Sequence, residues 1–378
     1  MTTTMKNFKY VSLFSGIGGF EQALNALGGT CVLSSEFKTD TDAAYAKIYG
    51  EHTSGDVTKI DEKSVPDHDV LVGGFPCQAF STAGHRKGFE DARGTLFFEI
   101  IRIANEKKPK VMLLENVKGL LSHDKGNTID VIVRTLNDIG YVVSVTLVDS
   151  QNYGTVQKRE RLLLYCVRKD IAQEKNIHLL DDNHIITGKT LLPNTVKNLV
   201  ALGYELFSHE NPQYVESAPL LEFLEPASLD DYLTKEAVEE RLPVFTTKED
   251  VTFIPGEITD EINARILDKS TVIRPLIGAR HRTSKQRGKR VKLPGSPLFT
   301  LTVLFPQALI FEVDGLIYVR EISPRESLRL QRFPEDVIDS LTDGTFNKEQ
   351  LYRFSGNAVT VSTIAHYFNS ILETGVLN

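Results

Sequence analysis

YVSLFSGIGGFEQALNALGGTCVLSSE, residues 10–36, holds the pattern on which the fold turns. The β-rich run YVSLF (10–14) ends at Ser15-Gly16. A helical spacing follows, with Phe20, Ala23, Leu24 and Leu27 on one face and Gly28-Gly29 as its stop. CVLSSE (31–36) reads as the next strand and ends in Glu36. Glycines 16, 18 and 19 let the chain turn tightly and let a ligand approach the backbone. Glu36 lies 20 residues after Gly16, where a carboxylate can accept both hydroxyls of a ribose. A nicotinamide-type turn prefers a third glycine at position 21, which is Glu21 here. A purely structural strand-to-helix turn explains Gly-x-Gly-Gly about as well as a nucleoside site does.

The same alternation extends outward. VLVGG (70–74) and KVMLLE (110–115) are apolar runs of the kind buried in a parallel sheet. TLFFEIIRIA (95–104) is helical, and Ile129, Ile132, Val133 and Leu136 form another helix face. YVVSVTL (141–147) and RLLLYCV (161–167) close this part. Strands separated by helices predict an α/β doubly wound sheet, with ligands at the carboxyl ends of its strands. After about residue 170 the alternation is lost. A stretch over 216–261 is acidic, a basic loop fills 277–292, and helical patterns return from Ser323. The expected division is 1–172 for the first part of a cofactor-binding catalytic domain, 173–344 for a smaller inserted domain, and 345–378 for a return that completes the catalytic domain.

Composition sets the bounds. The 378 residues carry 43 basic and 50 acidic side chains, a net charge of −7. That excludes a histone-like coater of nucleic acid, though a local basic patch remains compatible with recognition. Three cysteines (Cys31, Cys77, Cys166) exclude a disulfide scaffold and the paired cysteines of a structural zinc site, so no metal is expected. With no apolar run approaching a membrane span and no signal-like start, the chain reads as cytoplasmic.

Several residues carry chemistry. Cys77 lies in GGFPCQAFS (73–81), after a buried strand and on a predicted loop flanked by Gly, Pro and Gln. Nucleophilic attack needs a thiolate and access; Cys31 and Cys166 read as small buried hydrophobes. Glu115 ends an apolar strand and faces the same crevice, or else pairs with a backbone amide. In QKRER (157–161) alternation puts Gln157, Arg159 and Arg161 on one face. Asp56, in Gly55-Asp56-Val57, reads as a turn acid or an acceptor for an amino group.

Taken in order, FSGIGGF (14–20), GGFPCQAFS (73–81), ENV (115–117), QKRER (157–161), REISPRESLRLQRFP (320–334) and FSGNAV (354–359) resemble the motifs of the bacterial-type DNA cytosine-5 methyltransferases. The resemblance covers the chain except roughly residues 171–295. It implies a Rossmann-like sheet that binds S-adenosyl-L-methionine and a smaller target-recognition domain. It implies Cys77 as the nucleophile that adds to carbon 6 of cytosine. Glu115 would bind the exocyclic amine and ring nitrogen 3, and Arg161 the 2-carbonyl oxygen. Arg159 would support the loop and the DNA backbone. Phe14, Gly16, Ile17, Gly18 and Gly19 would line the cofactor, Glu36 hold its ribose, Phe37 cover the adenine, and Asp56 with Val57 meet the adenine edge. Pro76, Leu96, Asn357 and Val359 would complete that pocket. Two departures from the family pattern, Val156 and Thr360 where proline is usual, bear on loop geometry.

The target carbon is inaccessible inside a duplex, so the resemblance also implies a flipped cytosine. The loop over 80–95, with Ser81, Arg86 and Arg93, is expected to close over double-stranded DNA, joined by Gln78 and Gln157. Arg280, Arg282, Lys285, Arg287, Lys289 and Arg290 are expected to meet phosphates or guanine edges, and Thr300 to sit in the Thr-Leu pair near the end of the recognition domain. Arg325, Glu326, Arg329 and Gln331 would organise that domain. A monomer is expected, with a cognate restriction endonuclease acting on the same site without a stable complex. The rival readings are a tRNA cytosine-5 methyltransferase, a catalytically inactive DNA-binding regulator on the same fold, and a nicotinamide oxidoreductase, which Glu21 disfavours.

Overall fold

A computed structural model describes residues 7–76, 96–181, 194–242, 252–276, 291–301 and 307–378. They form two compact units, one of residues 1–149, 160–214 and 361–378, the other of 150–159 and 215–360. No helix among the described residues is long and apolar enough to cross a membrane.

The first unit is built on a six-stranded sheet. Its strands are β1 (Phe8–Leu13), β2 (Gly29–Ser35), β3 (Val70–Gly74), β4 (Val111–Val117), β5 (Tyr141–Asp149) and β6 (Glu160–Arg168), in the order β2-β1-β3-β4-β6-β5. β1, β2, β3 and β4 pair in parallel. Helices α1 (Gly19–Asn25), α2 (Thr39–Tyr49), α3 (Leu96–Lys107) and α4 (Asn127–Asp138) separate the strands. This is the doubly wound architecture expected from the alternation of apolar runs. Ile129, Ile132, Val133 and Leu136 are wholly buried, as their 3.6-residue spacing demands. β6 departs from the parallel pattern and pairs antiparallel with both β4 and β5. The ten residues between β5 and β6 contain no crossover helix, so β6 must return in the opposite sense.

The strand order reverses direction between β1 and β3. In such sheets the crevice at the carboxyl ends, beside that reversal, is where ligands bind. The turn after β1, Glu36 after β2, Pro76 after β3 and Glu115 near the end of β4 all fall on this edge.

The chain leaves the first unit later than the expected boundary at 173, and rejoins it later than 345. Leu180, Val196, Leu199, Val200 and Leu206 join the hydrophobic core of the first unit. Leu206 bridges Val143 in parallel on the edge strand β5, and Phe207 N–H donates to the Val143 carbonyl. An edge strand with open backbone groups recruits this segment. Residues 345–360 pack within the second unit, where Tyr352 Oη donates to the Ile322 carbonyl and Gln331 Nε2 to the Ser355 carbonyl. The helix Val361–Glu373 belongs to the first unit, with Phe368 stacked 5.3 Å from Phe8.

The second unit contains an antiparallel sheet of β7 (Val272–Leu276), β8 (Ala308–Val313) and β9 (Leu316–Glu321). Arg320, 1% exposed, makes a two-pronged bond at 2.8 Å to Glu326, which is fully buried. Glu326 also closes the capping box of helix Pro324–Leu330 with Ser323. Arg325 and Arg329 bond Glu225. Each Glu326 oxygen also accepts a backbone N–H, from Glu225 and Ser323, so this buried ion pair leaves no carboxylate oxygen with a single partner.

Candidate active site

The turn after β1 is held by its own backbone. Phe14 takes a left-handed φ of 57°, rare for a residue with a side chain. Ser15 N–H donates to the Ser35 carbonyl at 2.9 Å, and Gly18 N–H to the Ser15 carbonyl at 2.9 Å. Gly16 (φ 59°) and Gly18 (φ 82°) need glycine for different reasons. A Cβ on Gly18 would lie 2.3–2.6 Å from the Tyr49 ring, whereas one on Gly16 would meet nothing within 4 Å among the described residues. The open side of the turn is therefore at Gly16. Ile17 is buried and anchors the loop beneath, and Gly19 opens α1.

Glu36 faces this turn. Its Oε2 accepts from Gly16 N–H at 3.2 Å and its Oε1 from Lys38 N–H at 2.9 Å. Each oxygen keeps a lone pair, the arrangement a pair of ribose hydroxyls requires. Phe37 beside it is 62% exposed, an unusual state for a large aromatic side chain. Asp56 caps the 3-10 turn Val57–Lys59. The Thr58 N–H and hydroxyl, at 3.0 and 2.9 Å, hold its carboxyl below the usual range. Val57 is buried. An open glycine turn, an anchored carboxylate and an exposed ring suit a nucleoside-bearing cofactor.

Glu115 and Arg161 meet on the same edge. Arg161 Nε stands 2.8 Å from Glu115 Oε1, with both side chains about one-sixth exposed or less. The antiparallel pairing of β4 with β6 places Arg161 opposite Val117, two residues from Glu115. Gly74 lies opposite Glu115, and a Cβ there would come to 3.2 Å from Glu115 Oε2. Asn116, whose contribution the sequence reading did not single out, is buried and donates from Nδ2 to the Phe75 carbonyl at 2.8 Å. It thereby ties the end of β4 to the segment that leads through Pro76 to Cys77. Pro76 is exposed, and Leu96, at the start of α3, is half-buried.

The other expected site residues separate into two groups. Cys77, Gln78, Ser81, Arg86 and Arg93 lie outside the described residues, as do Arg280, Arg282, Lys285, Arg287, Lys289 and Arg290. Gln157, Arg159, Thr300, Asn357 and Val359 lie in the second unit. Gln157 and Arg159 precede β6, which begins at Glu160, and both are buried while Lys158 between them is exposed. Arg159 is 1% exposed and donates to the carbonyls of Leu301, Gly356 and Ala358. It ties these segments together, and a guanidinium so enclosed presents no surface to a DNA phosphate. Gln157 is fully buried and accepts from Leu301 N–H at 2.9 Å, so its expected DNA contact is not exposed either. The Thr300 hydroxyl donates to the Lys158 carbonyl. Asn357 is exposed and Val359 nearly buried.

Of the two departures from proline, that at Val156 has no structural explanation: its carbonyl accepts from Leu298 N–H at 2.7 Å, a bond a proline there would also accept. The Thr360 hydroxyl donates to Gln331 Oε1 at 2.7 Å and accepts from Ser150 Oγ at 3.0 Å. At Thr360, hydrogen bonds do the fixing that a proline ring would do by restricting φ.

The family model for C-5 cytosine-specific DNA methylase matches residues 8–373. The chain is similar to the type II methyltransferase M.HhaI of Haemophilus parahaemolyticus, 47% identical over 167 residues, which are 44% of this chain and 51% of that protein. It is similar to the type II methyltransferase M1.ScrFI of Lactococcus lactis subsp. cremoris, 33% identical over 97% of this chain and 78% of that one. Among solved structures, the Dnmt2 methyltransferase of S. pombe superposes with a TM-score of 0.57, covering 97% of this chain and 98% of the other at 15% identity. The last likeness concerns the fold.

Proposed function

Since the chain belongs to the C-5 cytosine-specific DNA methylase family, we propose that it methylates carbon 5 of cytosines within one short sequence of double-stranded DNA, using S-adenosyl-L-methionine and a covalent adduct to Cys77. The observation that carries the reading is the Glu115–Arg161 pair at 2.8 Å, set on the carboxyl edge of a doubly wound sheet. Asn116 tethers the strand that bears Glu115 to the segment entering Cys77.

Cytosine is a poor nucleophile at carbon 5. When the Cys77 thiolate forms a bond to carbon 6, the electron pair of the 5,6 double bond moves to carbon 5 and makes it an enamine carbon. Glu115 binds the exocyclic amine and ring nitrogen 3, which offsets the charge that addition delivers to the ring. Arg161 holds Glu115 in place and binds the 2-carbonyl oxygen. S-adenosyl-L-methionine would supply an electrophilic methyl group on a sulfonium, carbon 5 forming its bond to that methyl as the methyl–sulfur bond breaks and S-adenosylhomocysteine leaves. A base then removes the carbon-5 proton, the double bond re-forms, and the Cys77 thiolate leaves.

Phe14, Gly16, Ile17, Gly18 and Gly19 receive the cofactor's methionine and ribose side, Glu36 its ribose, and Phe37, Asp56 and Val57 its adenine. Pro76 and Leu96 complete its pocket. The cytosine must leave the helix stack to reach these groups. The loop 80–95, with Gln78, Ser81, Arg86 and Arg93, closes on the DNA. The second unit reads the sequence, with Arg280, Arg282, Lys285, Arg287, Lys289 and Arg290 contacting phosphates or bases. Protection of a site from a restriction endonuclease fits the type II names of its relatives, and the protein acts as a monomer.

Bisulfite sequencing of a methylation-free plasmid, incubated with the protein and S-adenosyl-L-methionine, tests this. We expect protected cytosines in one short recurring sequence, and none with Cys77→Ala. Absence of protection on DNA, with protection on tRNA in a parallel reaction, would replace the DNA reading with an RNA one. Absence on both would leave a binding protein.

A further inference from the structure

We propose that Thr53, fixed in turn by Asp42, is the positioning residue that sets the two cofactor acids Glu36 and Asp56 in register with each other. The inference rests on the cofactor reading of those acids given above.

Thr53 is part of the return from α2. Gly50 ends that helix in a left-handed turn (φ 79°) and sends the chain back along the end of β2. There the Thr53 hydroxyl sits among four polar atoms. Glu36 N–H lies 3.2 Å away and Gly55 N–H 3.2 Å away, both able only to donate to it. Asp42 Oδ1 lies at 2.8 Å and the Glu36 carbonyl at 3.2 Å, both able only to accept. A hydroxyl has one proton and two lone pairs. The shorter contact to a charged acceptor takes the proton, which turns both lone pairs toward the amides of Glu36 and Gly55. One oxygen thus binds the backbone of the ribose acid and the residue immediately before Asp56.

Asp42 makes this orientation unambiguous. Its Oδ1 accepts both the Thr53 N–H and the Thr53 hydroxyl at 2.8 Å, and its Oδ2 lies 2.6 Å from His52 Nδ1. Burial opposes ionisation of Asp42, but the Thr53 N–H and the His52 ring outweigh it and hold the carboxyl below its ordinary range. Asp42 therefore stays charged at neutral pH and keeps the hydroxyl proton on its own side. Ser35 adds a parallel tie, its hydroxyl donating to the Gly55 carbonyl at 2.7 Å. Thr53 and Asp42 touch the backbone that carries the two acids, not the carboxylates that would meet the cofactor.

Calorimetry with S-adenosylhomocysteine on the full chain tests this, with Glu36→Ala measured beside Thr53→Val and Asp42→Ala. Glu36→Ala is expected to weaken binding tenfold or more. Thr53→Val is expected to weaken it five- to twentyfold. It should raise KM for S-adenosyl-L-methionine by a similar factor while kcat stays within about twofold. Thr53→Ser, which keeps the hydroxyl, is expected to restore wild-type affinity; a merely steric role for the threonine methyl would leave it impaired. Asp42→Ala should resemble Thr53→Val, because the hydroxyl proton is then free to turn to the Glu36 carbonyl. Wild-type affinity in both Thr53→Val and Asp42→Ala, with Glu36→Ala impaired, overturns the positioning role alone. Wild-type affinity in Glu36→Ala overturns the cofactor reading on which it rests.

Discussion

Glu21 is the residue whose chemistry is least expected from its place in the sequence. It occupies the position where a nicotinamide-type turn has glycine, and it is completely buried behind that turn. Neither carboxyl oxygen has a hydrogen-bond partner of good geometry among the described residues. Burial pushes its pKa from 4.5 up to about 7, against a smaller pull from the nearby Ser12, Ser15 and Tyr45 hydroxyls. The proton is therefore held more tightly in the folded state than in the unfolded one. Below the unfolded pKa the group is neutral in both states and contributes no pH-dependent penalty. As pH rises toward about 7 a penalty grows, reaching roughly 3 kcal/mol above it. Glu21→Gln removes that penalty. Urea unfolding at pH 5 and pH 8 should show the variant gaining stability over wild type at pH 8 and little or none at pH 5. An equal difference at both pH values would show that Glu21 does not titrate in this window.

At the scale of elements, the β1–α1 turn separates two effects that one glycine motif conflates. Gly18→Ala sets a methyl group against the Tyr49 ring in a left-handed conformation. It is expected to cost about 2 kcal/mol or more in stability. Gly16→Ala meets no atom of the described residues and carries only the conformational penalty, about 1 kcal/mol. Its methyl group would stand in the open side of the turn. We expect Gly16→Ala to weaken S-adenosyl-L-methionine binding more than it lowers Tm, and Gly18→Ala to do the reverse, measured by calorimetry and thermal melts. If both variants lose affinity and Tm in the same proportion, the turn has no distinct ligand side.

What the sequence shows is uneven at this same scale. The strand runs 70–74 and 110–115 and the helix face of Ile129 to Leu136 were legible because burial on one side imposes a period. So was the separation of Gly16 and Glu36, which fixes where the second strand must end. The reversal of β6 was not, because RLLLYCV is apolar in either direction. Asp314 and Gly315, both at positive φ, turn β8 into β9, and an Asp-Gly pair between alternating apolar residues is the signal for that hairpin. Thr53 and Asp42 carried no signal, since they act by donating and accepting at backbone atoms whose nearness only the fold creates. Gln157 and Arg159 differ from expectation for the opposite reason: polar side chains imply exposure until backbone groups enclose them, here the Leu301 N–H for Gln157 and three carbonyls for Arg159.

The whole molecule is assembled from interleaved pieces of chain. The boundary residues follow from this: 173–214 contributes Val196, Leu199, Val200 and Leu206 to the core of the first unit. A chimera that replaces 173–344 with the corresponding stretch of a relative removes those side chains, each worth about 2–4 kcal/mol when lost from a packed core. We expect it to be insoluble or to melt far below the parent. A chimera that replaces 150–159 together with 215–360 should keep the melting behaviour of the first unit. Equal stability of the two constructions, compared by circular dichroism melts, would place the boundary where the sequence alone suggests it.

The backbone passes between the two units at four points, after residues 149, 159, 214 and 360. A contiguous cassette can be inherited through one exchange of genetic material, but this second unit cannot, because ten of its residues are encoded upstream of β6. Descendants that acquire a new second unit must either inherit both segments together or drift within the one they have. Recombination breakpoints that survive should therefore cluster near codons 150, 160, 215 and 361.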